Sequence, residues 1–470
     1  MNSRKKILLS VLLSLLLSLV AAGVWVAGNM LPVATGFAAK CMCSCVFVAG
    51  RSPASVENLE LDRAIVKWVS VKVDTASQKT VASLLGVARQ TAIFRQGLGC
   101  TLVEGISEDS LRRQLFANPR EKMPRTDTLY WPTGDRDTLP FPANVNLPKL
   151  EAAVNQAFEE NHPAGKKNTQ AVVVVYKGKI VGEKYAEGMD QHTPQMGWSM
   201  TKSVTNAMLG TLAQESRVSV IQPVYSPEWG MGDTRANLKL DHLLRMSSGL
   251  KFNEMYGSST DVTRMLFMTG NTGAYAASMP QVYPADSVWS YSSGTTNIIS
   301  RYIRFLYQDY NSYLRLPYES LFARIGMSSA VMEVDASGTY VGSSFCYATA
   351  RDWARFGLLY LNSGTWEGET IIPEGWVEYS YRRTPSDPYG RYAAHFWTNA
   401  TRAVPDDVGY HYWPDLPEDL YYASGFDGQY VVIIPSREVV IVRLGTTVNR
   451  DAFNIGDLAS GVLGAIQSEY

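Results

Sequence analysis

Met196-Gly197-Trp198-Ser199-Met200-Thr201-Lys202 is the stretch on which the reading of this chain turns. Met196-Gly197-Trp198 reads as a loop, and the residues after it place Val204, Met208, Leu209 and Leu212 on one apolar helical stripe. Residues three apart share a helix face, so the Lys202 amine can reach the Ser199 hydroxyl. A desolvated lysine with a lowered pKa then takes the hydroxyl proton as the oxygen attacks a carbonyl. The same spacing recurs at Ser3-Arg4-Lys5-Lys6 and Ser248-Gly249-Leu250-Lys251, but the first precedes a hydrophobic segment and the second lies in a Ser-Ser-Gly turn. The plain alternative at Ser199 is a helix cap, with Lys202 solvated in the first turn.

The rest of the composition narrows the chemistry. With 470 residues, 46% of them hydrophobic, and 11 Trp, the chain can bury a large core and form more than one structural unit. A net charge of -1 and the absence of long basic runs argue against a nucleic-acid partner. No Gly-rich phosphate loop is evident, and His162, His192, His242, His395 and His411 lack the close pairing of a zinc-hydrolase helix; neither an organic cofactor nor a metal is expected.

Arg4, Lys5 and Lys6 precede an uncharged apolar run from Ile7 to about Gly28, with no further charge until Lys40. Its length matches the roughly 20 residues that span a bilayer and exceeds the core of a cleaved signal. The expectation is an uncleaved anchor in a bacterial inner membrane, with everything after Lys40 in the periplasm or outside the cell. Cleavage near Val20-Ala21-Ala22 or Phe37-Ala38-Ala39 is the alternative. Cys41, Cys43 and Cys45 follow at once, open to three readings: metal ligands, a disulfide to Cys100, or juxtamembrane packing. Cys346 reads as a small buried residue.

Three units are expected: residues 1–30 as membrane anchor or signal segment, 31–146 as extension and linker, and 147–470 as the main domain. Within the last, Ala171–Tyr176 and Ile180–Tyr185 form one hairpin signal, and Tyr430–Pro435 with Val439–Leu444 form another. Helical stretches lie between, and a helix from Ile455 to Ser468 closes the chain. Strands at both ends with helices between imply an α+β fold: an antiparallel sheet built from both chain ends around a helical insertion domain.

Two further pieces fall in that order. Tyr291-Ser292-Ser293 sits in the helical middle. A buried Tyr291, its phenolate favoured by an adjacent ammonium, can relay protons to a leaving group; otherwise it is a packing aromatic. Ala423-Ser424-Gly425-Phe426-Asp427-Gly428-Gln429 leads into the last hairpin, where an N–H can join that of Ser199 around an oxyanion; otherwise it is a turn that starts a strand.

With His242–Leu250 (Leu-Leu-Arg-Met-Ser-Ser-Gly-Leu at its end) and Arg351–Leu361, these pieces resemble the serine β-lactamase and penicillin-recognising family. The chain is most similar to the branch holding class C β-lactamases, DD-peptidases, family VIII carboxylesterases and 6-aminohexanoate-oligomer hydrolases. The resemblance spans Leu147 to the C-terminus and implies a β-lactamase/transpeptidase-like fold. It also implies Ser199 as acylated nucleophile, Lys202 as base or relay and Tyr291 as acid/base, with Gly425, Phe426 and Ser293 in oxyanion or substrate contacts. Two departures stand out: Ala423-Ser424-Gly425 replaces the family's Lys-Thr-Gly or His-Thr-Gly, and Ser293 replaces the Asn of Tyr-x-Asn. The first removes a cation for a substrate carboxylate and the second an amide for the acyl group. Asn297 is the nearest substitute for that amide, with an exposed or capping role as its alternative. Phe396-Trp397 and Tyr410-His411-Tyr412-Trp413-Pro414 are candidates to line a cleft or to pack in the core.

The expected function is a membrane-anchored serine hydrolase acting on a small ester, amide or peptide-like substrate. The alternatives are a non-catalytic binder of peptidoglycan-like or β-lactam ligands on the same fold, and a true β-lactamase or DD-peptidase.

Overall fold

The computed structural model describes residues 3–84, 86, 88–114, 116–123, 128–136, 141–403 and 412–467. The N-terminal apolar run forms a single helix, α1 (Ser3–Phe47). A helix that is apolar all round needs apolar surroundings. From Leu31 onward α1 finds them inside the protein, where Ala34, Phe37, Ala38, Met42 and Cys43 are buried. Ile7, Val11, Leu12, Leu13, Leu15, Leu16, Leu17 and Trp25 stand exposed instead. The boundary expected at residue 30 therefore falls inside one helix. Among the described residues the stretch long and apolar enough to cross a membrane is Gly28–Phe47, and 72% of its hydrophobic window is buried in the protein.

Against α1 pack β1 (Ser70–Asp74), β2 (Lys79–Leu84), β3 (Ala88–Arg95) and β4 (Gly99–Leu102), an antiparallel sheet in sequence order. Thr80 Oγ1 donates to the Ala39 carbonyl at 2.7 Å. Cys43 is disulfide-bonded to Cys100, while Cys41 and Cys45 are free and buried. Lys40 is 2% exposed and not a solvated juxtamembrane charge. Its amine pairs with the fully buried Glu333 carboxylate, which also accepts from Ser44 Oγ at 2.8 Å and the Cys100 N–H at 2.6 Å. The segment expected as a linker is docked where it is described: Trp131 is buried, and Arg355 reaches the Pro132 carbonyl and the Asp135 carboxylate.

The main body begins with α2 (Leu147–Gln156), capped by Asn146, followed by β5 (Thr169–Tyr176) and β6 (Lys179–Tyr185). The helical middle contributes α3 (Met200–Gln214), α4 (Ser293–Phe305) and α5 (Ala350–Leu361). The chain then adds β7 (Trp397–Thr398), β8 (Tyr421–Gly425), β9 (Gln429–Ile434), β10 (Val439–Gly445) and α6 (Ile455–Ala465). The sheet order is β7-β8-β9-β10-β5-β6, antiparallel throughout. Strands from both ends of the body meet where β10 joins β5, with Val442 opposite Val173 and Val440 opposite Val175.

Both faces of this sheet are covered, which is why β5 is buried along its whole length and runs Ala171–Tyr176 without alternation. Val172, Val174 and Ile441 pack with Leu150, Leu458 and Val462 of α2 and α6. Val173, Val175 and Val440 face Trp353, Phe356 and Leu359 of α5. Gly357 lets α5 approach, because a Cβ there would lie 2.5 Å from Val440 Cγ1.

The buried Lys40–Glu333 pair ties α1 to the body and predicts a measurable asymmetry. Lys40→Met strands a buried carboxylate and should cost about 3–5 kcal/mol of stability, read from the urea-unfolding midpoint. Adding Glu333→Gln, which removes the stranded charge, should recover part of that loss. A cost below about 1 kcal/mol for Lys40→Met would contradict this role.

Candidate active site

Gly197 and Trp198 turn the chain sharply into α3, Trp198 with a φ of +47° that non-glycine residues seldom adopt. Ser199 stands at the N-cap position yet makes no capping bond with its side chain. Its Oγ instead accepts from Lys202 Nζ at 3.1 Å. The plain cap reading therefore fails, and so does solvation of Lys202, which is 1% exposed. Nζ also donates to Ser293 Oγ at 2.9 Å and to the Ser343 carbonyl at 3.1 Å. Three acceptors match the three N–H bonds of an ammonium. In the neutral amine, the direction of one of these bonds can reverse, and the lone pair faces a serine hydroxyl. At Ser248-x-x-Lys251 the serine is buried, its Oγ accepting from the Leu250 N–H at 3.3 Å, and the lysine is exposed.

Burial drives the Lys202 pKa down to about 8, with the negative charge of Glu254 acting in the opposite sense. Glu254 is the residue that sequence reasoning missed. Its carboxylate accepts from the Ser293 N–H at 2.7 Å and the Ser293 hydroxyl at 2.5 Å, so Ser293 bridges amine and carboxylate. Burial raises the Glu254 pKa, opposed first by Lys202. The Ser293 hydroxyl is thus engaged within the site on both sides. A lone Glu in the loop Phe252-Asn253-Glu254-Met255-Tyr256 carries no spacing signal that would have marked it.

Tyr291 lies beside this group, its ring centre 4.9 Å from Lys202 Nζ. The expectation of a phenolate favoured by the ammonium does not hold. Burial, then the Glu254 charge, push the Tyr291 pKa well above its usual value, with contact to Ser199 working the other way. Tyr291 is therefore a phenol with a proton to give. Trp397 packs on it at 5.1 Å, while Phe396 is core. Of the other aromatic stretch, Trp413 is buried, and Tyr410 and His411 lie outside the described residues. Asn297 is neither exposed nor capping: it is fully buried, and its Oδ1 accepts from the Ser343 N–H at 3.2 Å.

His395 sits behind Lys202, its Nδ1 2.9 Å from the Lys202 carbonyl and its Nε2 3.1 Å from Thr296 Oγ1. Burial, reinforced by the Lys202 charge, pushes its pKa to about 3. It is a neutral packing group, and among the described residues no cluster of three or more His, Cys, Asp or Glu is placed to hold a metal.

Gly425 ends β8 against the nucleophile loop; a Cβ there would sit 2.1 Å from the Gly197 carbonyl oxygen. The close approach explains the glycine. Phe426 follows, packed edge-on to Trp198 with centroids 5.3 Å apart and stacked on Tyr256 at 4.6 Å. The backbone N–H groups of Ser199 and Phe426 donate to no acceptor among the described residues. These two N–H groups flank the nucleophile loop, beside a lysine whose pKa burial lowers to about 8.

A family profile described as Beta-lactamase matches residues 154–462. The 6-aminohexanoate-dimer hydrolase of Paenarthrobacter ureafaciens is 24% identical over 357 residues, 68% of this chain and 80% of that protein. A crystal structure of a family VIII carboxylesterase superposes with a TM-score of 0.52 at 14% identity, covering 68% of this chain and 96% of the esterase. At that identity the superposition speaks to the fold.

The electrostatics predict a pH profile. Labelling of the protein by a fluorophosphonate should rise with pH through a midpoint near 8, as Lys202 loses its proton. Glu254 holds that midpoint up, so Glu254→Gln should move it down by about one unit. An upward move would contradict the assigned sign.

Proposed function

The chain belongs to the beta-lactamase family and is a serine hydrolase of it; on that premise we propose that it cleaves a small ester or amide through an acyl-enzyme on Ser199. The observation that carries this reading is the buried Lys202 amine 3.1 Å from a serine hydroxyl that caps nothing. In the proposed cycle neutral Lys202 takes the Ser199 proton as Oγ bonds to the substrate carbonyl carbon. The N–H groups of Ser199 and Phe426 receive the oxyanion. Collapse breaks the bond to the alcohol or amine, which leaves with the Tyr291 proton while the Lys202 proton passes to the Tyr291 oxygen. Water then attacks the acyl carbonyl, and its proton returns through the same groups to Ser199. Glu254, reached through Ser293, offsets the ammonium while Lys202 is charged.

Substrate class follows from what the site lacks. Ala423 stands where the family's Lys-Thr-Gly or His-Thr-Gly carries a cation for a substrate carboxylate, which disfavours β-lactams and D-Ala-D-Ala peptides against neutral esters and short amides. The activities named for the two relatives are of that kind. We further propose that the exposed apolar part of α1, near Ile7 to Gly28, anchors the enzyme in a membrane. On this reading the body faces an oxidising compartment, as the Cys43–Cys100 disulfide favours.

The test compares p-nitrophenyl butyrate, the linear 6-aminohexanoate dimer and nitrocefin as substrates. The wild type should turn over the ester or the dimer in preference to nitrocefin, and Ser199→Ala and Lys202→Ala should each lower kcat/KM by about 10³-fold or more. Faster turnover of nitrocefin would move the assignment to β-lactamase, and binding without turnover of any of the three would move it to a binder.

A further inference from the structure

Arg63 lies in the segment after α1, outside the region matched by the family profile. Its guanidinium pairs with the Asp427 carboxylate at 2.6 Å, the two side chains 10% and 5% exposed. Asp427 is the residue after Phe426, in the turn that carries the second backbone donor of the site. It adopts a φ of +63°, and its carbonyl accepts from the Thr447 N–H at 3.0 Å and from Arg443. The turn is thus held from the sheet by Arg443 and from the N-terminal arm by Arg63.

The arm also reaches the residue before the other donor. Phe37 of α1 stacks on Trp198, the residue before Ser199, with rings 13° from parallel and centroids 6.0 Å apart. Trp198 in turn packs on Phe426. Arg63 lies over both ends of this chain of rings, 5.4 Å from the Phe37 centre and 5.5 Å from that of Phe426. Its own Nε is fixed on the Glu60 carbonyl at 2.6 Å. A scaffold contact alone is met as well by apolar residues, because burying two charges is expensive. A directional pair at the turn, by contrast, sets where a backbone N–H points.

We infer that Arg63 is a positioning residue of the active site: through Asp427 it fixes the Phe426 N–H against the nucleophile loop, so the oxyanion site is completed by the N-terminal arm. This rests on the acyl-enzyme reading of Ser199. A displaced donor weakens binding of the tetrahedral state far more than binding of the ground state, so the loss falls on kcat and not on KM.

The experiment uses the full-length protein in detergent, with Arg63→Met, Arg63→Lys, Asp427→Asn and the double variant Arg63→Met/Asp427→Asn. Four quantities are read: the fraction of Ser199 labelled by a fluorophosphonate, kcat per labelled site, KM for p-nitrophenyl butyrate, and inhibition by phenylboronic acid, which forms a tetrahedral adduct on an activated serine. Arg63→Met and Asp427→Asn should each lower kcat per site and phenylboronic acid affinity by about 10-fold or more, with KM changed less than about 2-fold. The double variant should be no worse than either single one, and Arg63→Lys should recover part of the loss. If Arg63→Met fails to fold, Asp427→Asn and Arg63→Lys carry the same comparison. Unchanged kcat per site and unchanged boronate affinity in the variants, or a loss confined to the labelled fraction, would overturn the inference and leave Arg63 a packing residue. Absence of Ser199 labelling in the wild type would instead overturn the hydrolase reading, and the inference with it.

Discussion

An amine buried to 1% exposure must be matched by acceptors for its protons, and Lys202 is matched three times. The partners come from the start of α3, from the start of α4 and from the segment before α5, so the helical middle has to converge on one nitrogen. That requirement orders much of what surrounds it. His395 stays neutral against the Lys202 carbonyl, where a second cation would repel the first. Asn297 spends its side chain on the Ser343 backbone, whose carbonyl is one of the three acceptors. Glu254 offsets the charge at one remove, close enough to raise the lysine pKa and screened from direct pairing by Ser293. The outcome of burial against charge is an amine that changes state near pH 8, where the proposed chemistry needs it.

The N-terminal arm packs against the residues that flank this site. α1 begins as an exposed apolar helix and ends inside the body, clamped by the Lys40–Glu333 pair, by the Cys43–Cys100 disulfide and by the ring contact between Phe37 and Trp198. The four-stranded sheet covers its far side. Pro32, which has no N–H to give to the helical ladder, stands where the exposed part of α1 passes into the body.

The legible parts of the sequence were those with a local signature. Two hairpins bracket a helical middle because β-branched runs flank short turns at Lys177-Gly178 and Ser436-Arg437-Glu438, and the strands appear within a residue or two of their expected limits. Ser199, Lys202, Tyr291, Gly425 and Phe426 were singled out by their order along the chain, and the structure places them side by side. Glu254 and Arg63 were not found, because their partners Ser293 and Asp427 are distant in sequence and a single ionisable residue in a loop has no period or spacing. That the helix of the apolar run continues to Phe47 was not found for a related reason. Hydropathy registers that a helix is apolar all round, but whether lipid or protein covers it depends on the sheet that packs there, and residues 31–47 are covered by protein. The Tyr291 phenolate is disfavoured by burial and by Glu254, with contact to Ser199 acting the other way.

The measurement that bears most directly on this account is intact-mass analysis of the full-length protein after treatment with a fluorophosphonate, with peptide mapping of the adduct. The account predicts one adduct per chain, located on Ser199 and lost in Lys202→Met even though the serine is retained. An adduct on another residue, or undiminished labelling of Ser199 without Lys202, would contradict it.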